Sequence, residues 1–272
     1  EESNAETGFD DGMSFSIAID DDMHFFIGSR SQTPNAEALL SIVALDNDGD
    51  ELWNYSTIGK LTSTLVCTNN YIIFGTGQGY VEYTSGTLHI LDASSGAELF
   101  SPVYRDPVLA ITVLDAIAYV VTAQFYLESY TGVVHAIDLN SQREIWQYSG
   151  NVGDTKPIIL NKSIILGLYN DYPTTESGVI SLNSATGELE WFYSITNPNR
   201  GPTCFTSNGD TVFFGETDPR PGVPSGRGAI HALNSLGEEL WQYETAGVVG
   251  DPVYANGILY FACRDGFLYS LK

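Results

Sequence analysis

Three of the chain's four histidines, His89, His135 and His231, invite a reading as a metal set, because imidazole nitrogen is a common ligand for transition metals. Each stands three residues before an Asp or Asn, namely Asp92, Asp138 and Asn234. That constant offset argues against convergence. Residues at one repeat position are carried apart on strands spaced about 4.8 Å, whereas a metal needs bonds of roughly 2 Å to a single point. The three are expected to pack on strands. Asp46, Asp48 and Asp50 have the alternation that opens a calcium loop, and they are the one weak metal candidate. No bidentate Glu follows at the spacing such a loop needs, so an ordinary Asp/Gly turn is expected. Cys67, Cys204 and Cys263 are too few and scattered for a disulfide scaffold or a CxxC site. A Cys204–Cys263 bridge is left open.

Nucleophilic chemistry finds no frame: no Gly-x-Ser-x-Gly elbow occurs, and no histidine is paired with a nucleophile at a recognisable spacing. Two loop carboxylates, Glu82 and Glu128, could meet in space as a hydrolase pair. An enzyme is nonetheless not the expectation.

The elements that would carry these residues repeat from end to end. All four tryptophans, Trp53, Trp146, Trp191 and Trp241, occupy one slot of a recurring phrase, with Phe100 in the same slot of the second unit. The steps of 47, 46, 45 and 50 residues between slots mark a propeller or solenoid. Short apolar runs separated by turn formers give each unit four antiparallel strands, A to D. Turns between A and B are read near residues 20, 69, 115, 161, 208 and 256, with Asn208-Gly209 and Asn256-Gly257 as strong hairpin signals. The expectation is all-β: a single six-bladed β-propeller over 1–272, with units at about 14–60, 61–106, 107–152, 153–199, 200–247 and 248–272. Only five D strands are countable, so residues 1–13 are expected to complete the last blade and remove its open edge.

Composition narrows the partners. A net charge of −23, from 11 Lys and Arg against 34 Asp and Glu, repels polyanions and excludes direct nucleic-acid binding. No apolar run approaches 18 residues, so membrane insertion is not expected. A first residue Glu1 in place of Met fits either a mature exported chain or one trimmed at its start. Asn54 and Asn161 head N-glycosylation triplets, the second at a hairpin tip.

The units resemble the PQQ-like repeat of quinoprotein dehydrogenases and of the propeller lipoprotein of the bacterial outer-membrane barrel-assembly machinery. The likeness rests on strand C ending Ala-Leu-Asp46, Ile-Leu-Asp92 and Ala-Ile-Asp138, on turns such as Ser184-Ala-Thr-Gly187, and on Glu leading into Trp and Tyr. It implies that Trp53, Phe100, Trp146, Trp191 and Trp241 wedge between adjacent blades, Phe100 less fully. Enzymes of the family hold pyrroloquinoline quinone and Ca²⁺ at the ring centre, with a stacking tryptophan and often a vicinal disulfide. Here no two cysteines are adjacent and every tryptophan sits in the repeat slot. Neither PQQ nor Ca²⁺ is therefore expected.

Departures from the minimal repeat fall in the B-to-C connections, which share one face with the D-to-A connections. Tyr80, Glu82 and Tyr83 are echoed by Tyr126, Glu128 and Tyr130 on the next unit and by Tyr169 and Tyr172 on the one after. Tyrosine offers amphipathic contact area at low entropic cost. A Pro/Gly-rich arm carries Arg220 and Arg227. The expected function is a non-catalytic, extracellular or cell-envelope binding or assembly module for a protein, peptide or glycan, self-assembly included. The alternatives are the ligand-sensing domain of a receptor and a quinoprotein-type dehydrogenase.

Overall fold

The computed structural model describes residues 16–20, 24–31, 39–68, 70–78, 85–126, 129–153, 155–169, 177–195, 201–217 and 228–272. They form six antiparallel sheets in chain order. The first comprises β1 (Ser16–Ile19), β2 (Phe25–Ser31), β3 (Leu39–Leu45) and β4 (Glu51–Ile58). The second is irregular: β5 (Lys60–Leu61) and β6 (Val66–Cys67) share the A role, followed by β7 (Tyr71–Gln78), β8 (Ser85–Asp92) and a D strand split into β9 (Glu98–Phe100) and β10 (Val103–Tyr104). The third has β11 (Val108–Leu114), β12 (Ile117–Tyr126), β13 (Ser129–Asp138) and β14 (Arg143–Gly150). The fourth has β15 (Ile158–Leu160), β16 (Ser163–Leu168), β17 (Gly178–Asn183) and β18 (Leu189–Ser194). The fifth has β19 (Gly201–Ser207), β20 (Thr211–Thr217), β21 (Gly228–Asn234) and β22 (Glu239–Thr245). The sixth holds three strands, β23 (Val253–Ala255), β24 (Ile258–Ala262) and β25 (Leu268–Leu271).

Consecutive A strands touch one another, β1 with β6, β6 with β11, and so on through β15, β19 and β23. The A strands therefore line the centre and the D strands lie outermost, which makes each sheet a blade. Two-residue turns at Asp115-Ala116, Asn161-Lys162 and Asn256-Gly257 have both central φ angles positive, the backbone whose twist matches a tight hairpin. The expected closing strand from residues 1–13 lies outside the described residues, and so do the turn positions at 21–23 and Asn69. No helix among the described residues is long and apolar enough to cross a membrane.

Core residues from facing blades make the seams. Phe26, Leu40, Ile42 and Trp53 of the first blade pack with Ile72, Phe74 and Leu91 of the second. At each later seam the same strand positions supply the apolar contacts.

The wedge has a seat. The indole N–H groups of Trp53, Trp146 and Trp191 donate to the carbonyls of Ala93, Ser184 and Ser235, 2.9–3.0 Å away, in the C-to-D turn of the following blade. Each ring lies on that turn's glycine: an ideal Cβ at Gly96, Gly187 or Gly237 would stand 2.5 Å from a ring atom of the tryptophan. Positive φ at the three glycines, +69°, +73° and +79°, bends the turn beneath the ring. Phe100 is half-buried in the second seam, where Gln142 replaces the glycine and Leu139, 2% exposed, fills the turn. Trp241 holds the same slot on β22, its ring centroid 5.9 Å from that of Phe213.

Candidate functional site: the loop face and the channel mouth

The structure parts the three histidines, each onto its own seam. His89 is buried, with Nε2 3.2 Å from Thr76 Oγ1 and Nδ1 3.3 Å from the hydroxyl of Tyr55 on the preceding blade, which itself donates to Glu98. Burial drives the His89 pKa down to about 4 and pushes the Tyr55 phenol above its ordinary range. His135 repeats the arrangement with Thr122 Oγ1 at 3.1 Å and Glu144 at 2.7 Å, and burial lowers its pKa too. At His231 the threonine is replaced: Nε2 lies 3.0 Å from Glu216, and Nδ1 3.2 Å from Glu239, which also accepts the Tyr193 hydroxyl. These are seam struts, each joining strands B, C and D of one blade to its neighbour.

The Asp46 carboxylate is spent on its own turn, accepting the backbone N–H of Asp48 and Asp50 at 2.9 Å. Asp92, Asp138, Asn183 and Asn234 do the same in the other blades. The Asp46–Asp50 stretch is thus one case of a general turn device. No three His, Cys, Asp or Glu residues gather as a metal site among the described residues. Asn161 sits at an exposed hairpin tip, and Asn54 is exposed on the outermost strand β4.

The two faces of the ring differ in charge. On the face of A-to-B and C-to-D turns stand Asp20, Asp46, Asp48, Asp50, Asp92, Asp115, Asp138, Glu188, Asp210 and Glu238, with Lys162, Arg143 and Lys272 as the only cations of the sequence. The other eight cations, Arg30, Lys60, Arg105, Lys156, Arg200, Arg220, Arg227 and Arg264, fall in or beside B-to-C and D-to-A connections. By sequence position the same connections also carry Glu37, Glu82, Asp106, Glu128, Asp154, Asp171, Glu176, Glu216, Asp218, Asp251 and Asp265, so they are less negative than the turns but not neutral.

On the face of B-to-C and D-to-A connections, where blades four, five and six meet, a cavity of about 420 Å³ opens at the central end of the sheets. Its wall is built from D-to-A connections (Thr155, Val248, Val249, Gly250, Asp251), the start of β19 (Thr203, Cys204) and the ends of strands B (Tyr169, Ala262, Cys263, Arg264). Thr155 and Thr203 are held by one device. Their hydroxyl oxygens accept the N–H of Gly167 and Gly215 at 3.1 and 2.8 Å, twelve residues on in each case. Ser63 does the same for Gly75. Asp251 Oδ1 accepts the Cys204 N–H at 3.3 Å, tying blade six to blade five. Cys204 and Cys263 both line this cavity and are not joined as a disulfide.

Of the residues singled out for binding, Tyr169 alone has a described side chain. It is 6% exposed, donates its hydroxyl to Pro202 O at 2.8 Å and presses on Gly153 and Gly201, where a Cβ would overlap its ring. It therefore wedges blade four against blade five while forming part of the cavity wall. Tyr126 ends β12 and Tyr130 is the second residue of β13, with backbone but not side chain described. Tyr80, Glu82, Tyr83, Glu128, Tyr172, Arg220 and Arg227 lie outside the described residues. Sequence reading missed the cavity residues from the D-to-A connections, although the Ser/Thr twelve positions before the strand B glycine marks Thr155 and Thr203. No tryptophan lines the cavity to stack on a quinone, and its two cysteines are not vicinal, so the residues present do not fit PQQ.

A second cavity, of about 410 Å³, lies at the outer seam of blades five and six, bounded by Phe213, Trp241, Tyr254, Leu259 and Leu271.

A family model described as outer membrane protein assembly factor BamB matches residues 40–211 and 176–272. A search of curated protein sequences gave no match. Among solved structures, BamB from Moraxella catarrhalis superposes with a TM-score of 0.61 at 19% identity, covering 94% of this chain and 83% of that one. Hsv2p from Kluyveromyces lactis gives 0.58 at 14%, covering 96% and 74%. The quinohemoprotein alcohol dehydrogenase from Comamonas testosteroni gives 0.51 at 10%, covering 95% and 65%. At these identities the likeness is one of fold.

Proposed function

The chain belongs to the PQQ-repeat β-propeller family whose model is described as outer membrane protein assembly factor BamB, and from that premise we propose that it is a non-catalytic envelope propeller that binds a protein partner. Its 1–272 span acts in this reading as one domain, exported to the cell envelope or the cell exterior, with the B-to-C and D-to-A face as its contact surface. The charge distribution carries the choice of face: the turn face, dense in carboxylates, is repelled by most acidic biological surfaces, whereas by sequence position the loop connections carry eight of the eleven cations. The channel-mouth cavity and the seam-locked tyrosine Tyr169 give that face fixed relief. A glycan or a second copy of the chain would use the same face.

Site-specific photo-crosslinking tests the reading. A benzophenone side chain placed at Lys60 or Lys156 on the loop face should give discrete adducts in envelope extracts of the source. The same group at Asp48 or Asp210 on the turn face should give none. Adducts confined to the turn-face positions would overturn the proposal.

A ligand-sensing reading has one observation behind it, since 420 Å³ falls within the range of small-molecule pockets. It predicts stabilisation by a small metabolite in a thermal-shift screen, with no loop-face protein adduct.

A further inference from the structure

We propose that the channel-mouth cavity receives a carboxylate from an extended segment of the protein partner, with Arg264 as its counter-ion and the Thr155 hydroxyl as a donor. This rests on the loop face being the contact surface and goes further by naming what enters it.

Two charged side chains line the cavity, Asp251 and Arg264. Asp251 is engaged across the seam with the Cys204 N–H. Arg264 is exposed and makes a backbone bond, its N–H to Val248 O at 3.0 Å, but its guanidinium has no ion pair among the described residues. A guanidinium forms paired, charge-assisted bonds with carboxylate oxygens. Thr155 supplies an independent pointer. It is 4% exposed and lines the cavity, and its oxygen accepts from Gly167 N, which leaves its own O–H without an acceptor among the described residues. A buried hydroxyl that accepts but has nothing to donate to is suited to a ligand oxygen.

The rest of the wall is mainly apolar, from Val248, Val249, Ala262 and the Tyr169 ring, so a carboxylate would arrive with apolar chain around it. That is the chemistry of an extended peptide carrying one acid. A free phosphate or a polyanion would meet Asp251 and the overall charge of −23. Arg264 reaches this position because blade six keeps a tight B-to-C turn, Cys263 to Gly266, with Gly266 at φ +92°.

The acid has two sources, a peptide C-terminus or an Asp or Glu side chain, and the test separates them. Three fluorescein-labelled Val/Thr peptides are titrated by polarisation against the whole chain: one amidated and neutral, one with a free C-terminus, and one amidated with a central Asp. One of the two acidic probes should bind at least tenfold more tightly than the neutral one, and Arg264→Gln should erase that advantage. The same probe should slow alkylation of Cys204 by iodoacetamide, read by mass spectrometry, which places it in this cavity. Arg264 is exposed, so the variant should keep the wild-type melting temperature. Equal binding of all three probes, or an acid preference unchanged in Arg264→Gln, would sink the inference. If loop-face crosslinks persist in either case, the failure belongs to the carboxylate alone and not to the choice of face.

Discussion

The seam between the third and fourth blades and the seam between the second and third solve one packing problem in opposite ways. In the first, Trp146 lies flat on Gly187 and donates its indole N–H to Ser184 O. In the second, the wedge is the smaller Phe100, and the turn answering it carries Leu139 and Gln142 where the other has Ser184 and Gly187. Large wedge with bare seat, or small wedge with filled seat: the volume across the seam is kept while its distribution changes. The unit of design in this ring is therefore the D strand of one blade together with the C-to-D turn of the next, and not the blade as written in the sequence.

The comparison is most sharply broken at Gly187. A methyl group there would sit 2.5 Å from Trp146 Cε3 on a backbone at φ +73°. Gly187→Ala should therefore cost about 3 kcal/mol or more, from overpacking and left-handed strain together. Trp146→Ala should cost a similar amount, roughly 3–5 kcal/mol, by emptying the seat from the other side. Urea denaturation reads both. A stable Gly187→Ala would mean that the ring can leave its seat freely, and the wedge account would be wrong.

Acid gives the next largest effect, at the seam of blades one and two. Burial holds the His89 pKa at about 4, below the ordinary 6.5, so the folded chain binds fewer protons there than the unfolded chain. The stability this residue contributes is complete above about pH 6.5 and is lost as the pH falls through about 4. The loss should approach about 3 kcal/mol. His135 is shifted in the same direction. His89→Gln removes the titrating group, so its melting temperature should fall less between pH 7 and pH 4 than that of the wild type. Parallel curves would show that the acid response comes from elsewhere.

Much of this was legible in the sequence. Five tryptophan or phenylalanine slots and the Asn-Gly and Asp/Gly turns placed five complete blades and the start of a sixth, because strand periodicity and turn chemistry are local properties. The partner of each wedge was not, since Trp53 meets Ala93 and Gly96 some forty residues on. Nor was the break of strand D at Ser101-Pro102, where Pro102 O accepts the Leu88 N–H but the ring offers no N–H in return. The candidate site was legible as a face and not as a cavity. Its wall draws on Thr155, Cys204, Asp251 and Arg264 from three blades, and no linear spacing announces that convergence. Tyr169 shows the same limit: its spacing marks it as a loop tyrosine for partner binding, and nothing in that spacing shows that Gly153 and Gly201 leave room for its ring between blades.

Moving one seam's solution into the other should have a moderate cost. Phe100→Trp puts a larger ring against Leu139 and Gln142 and should destabilise by about 1–3 kcal/mol. Adding Gln142→Gly should recover at least about 1 kcal/mol of that, because it bares the seat and suits a position already at positive φ. Strict additivity in the double-mutant cycle would show that wedge and turn are independent.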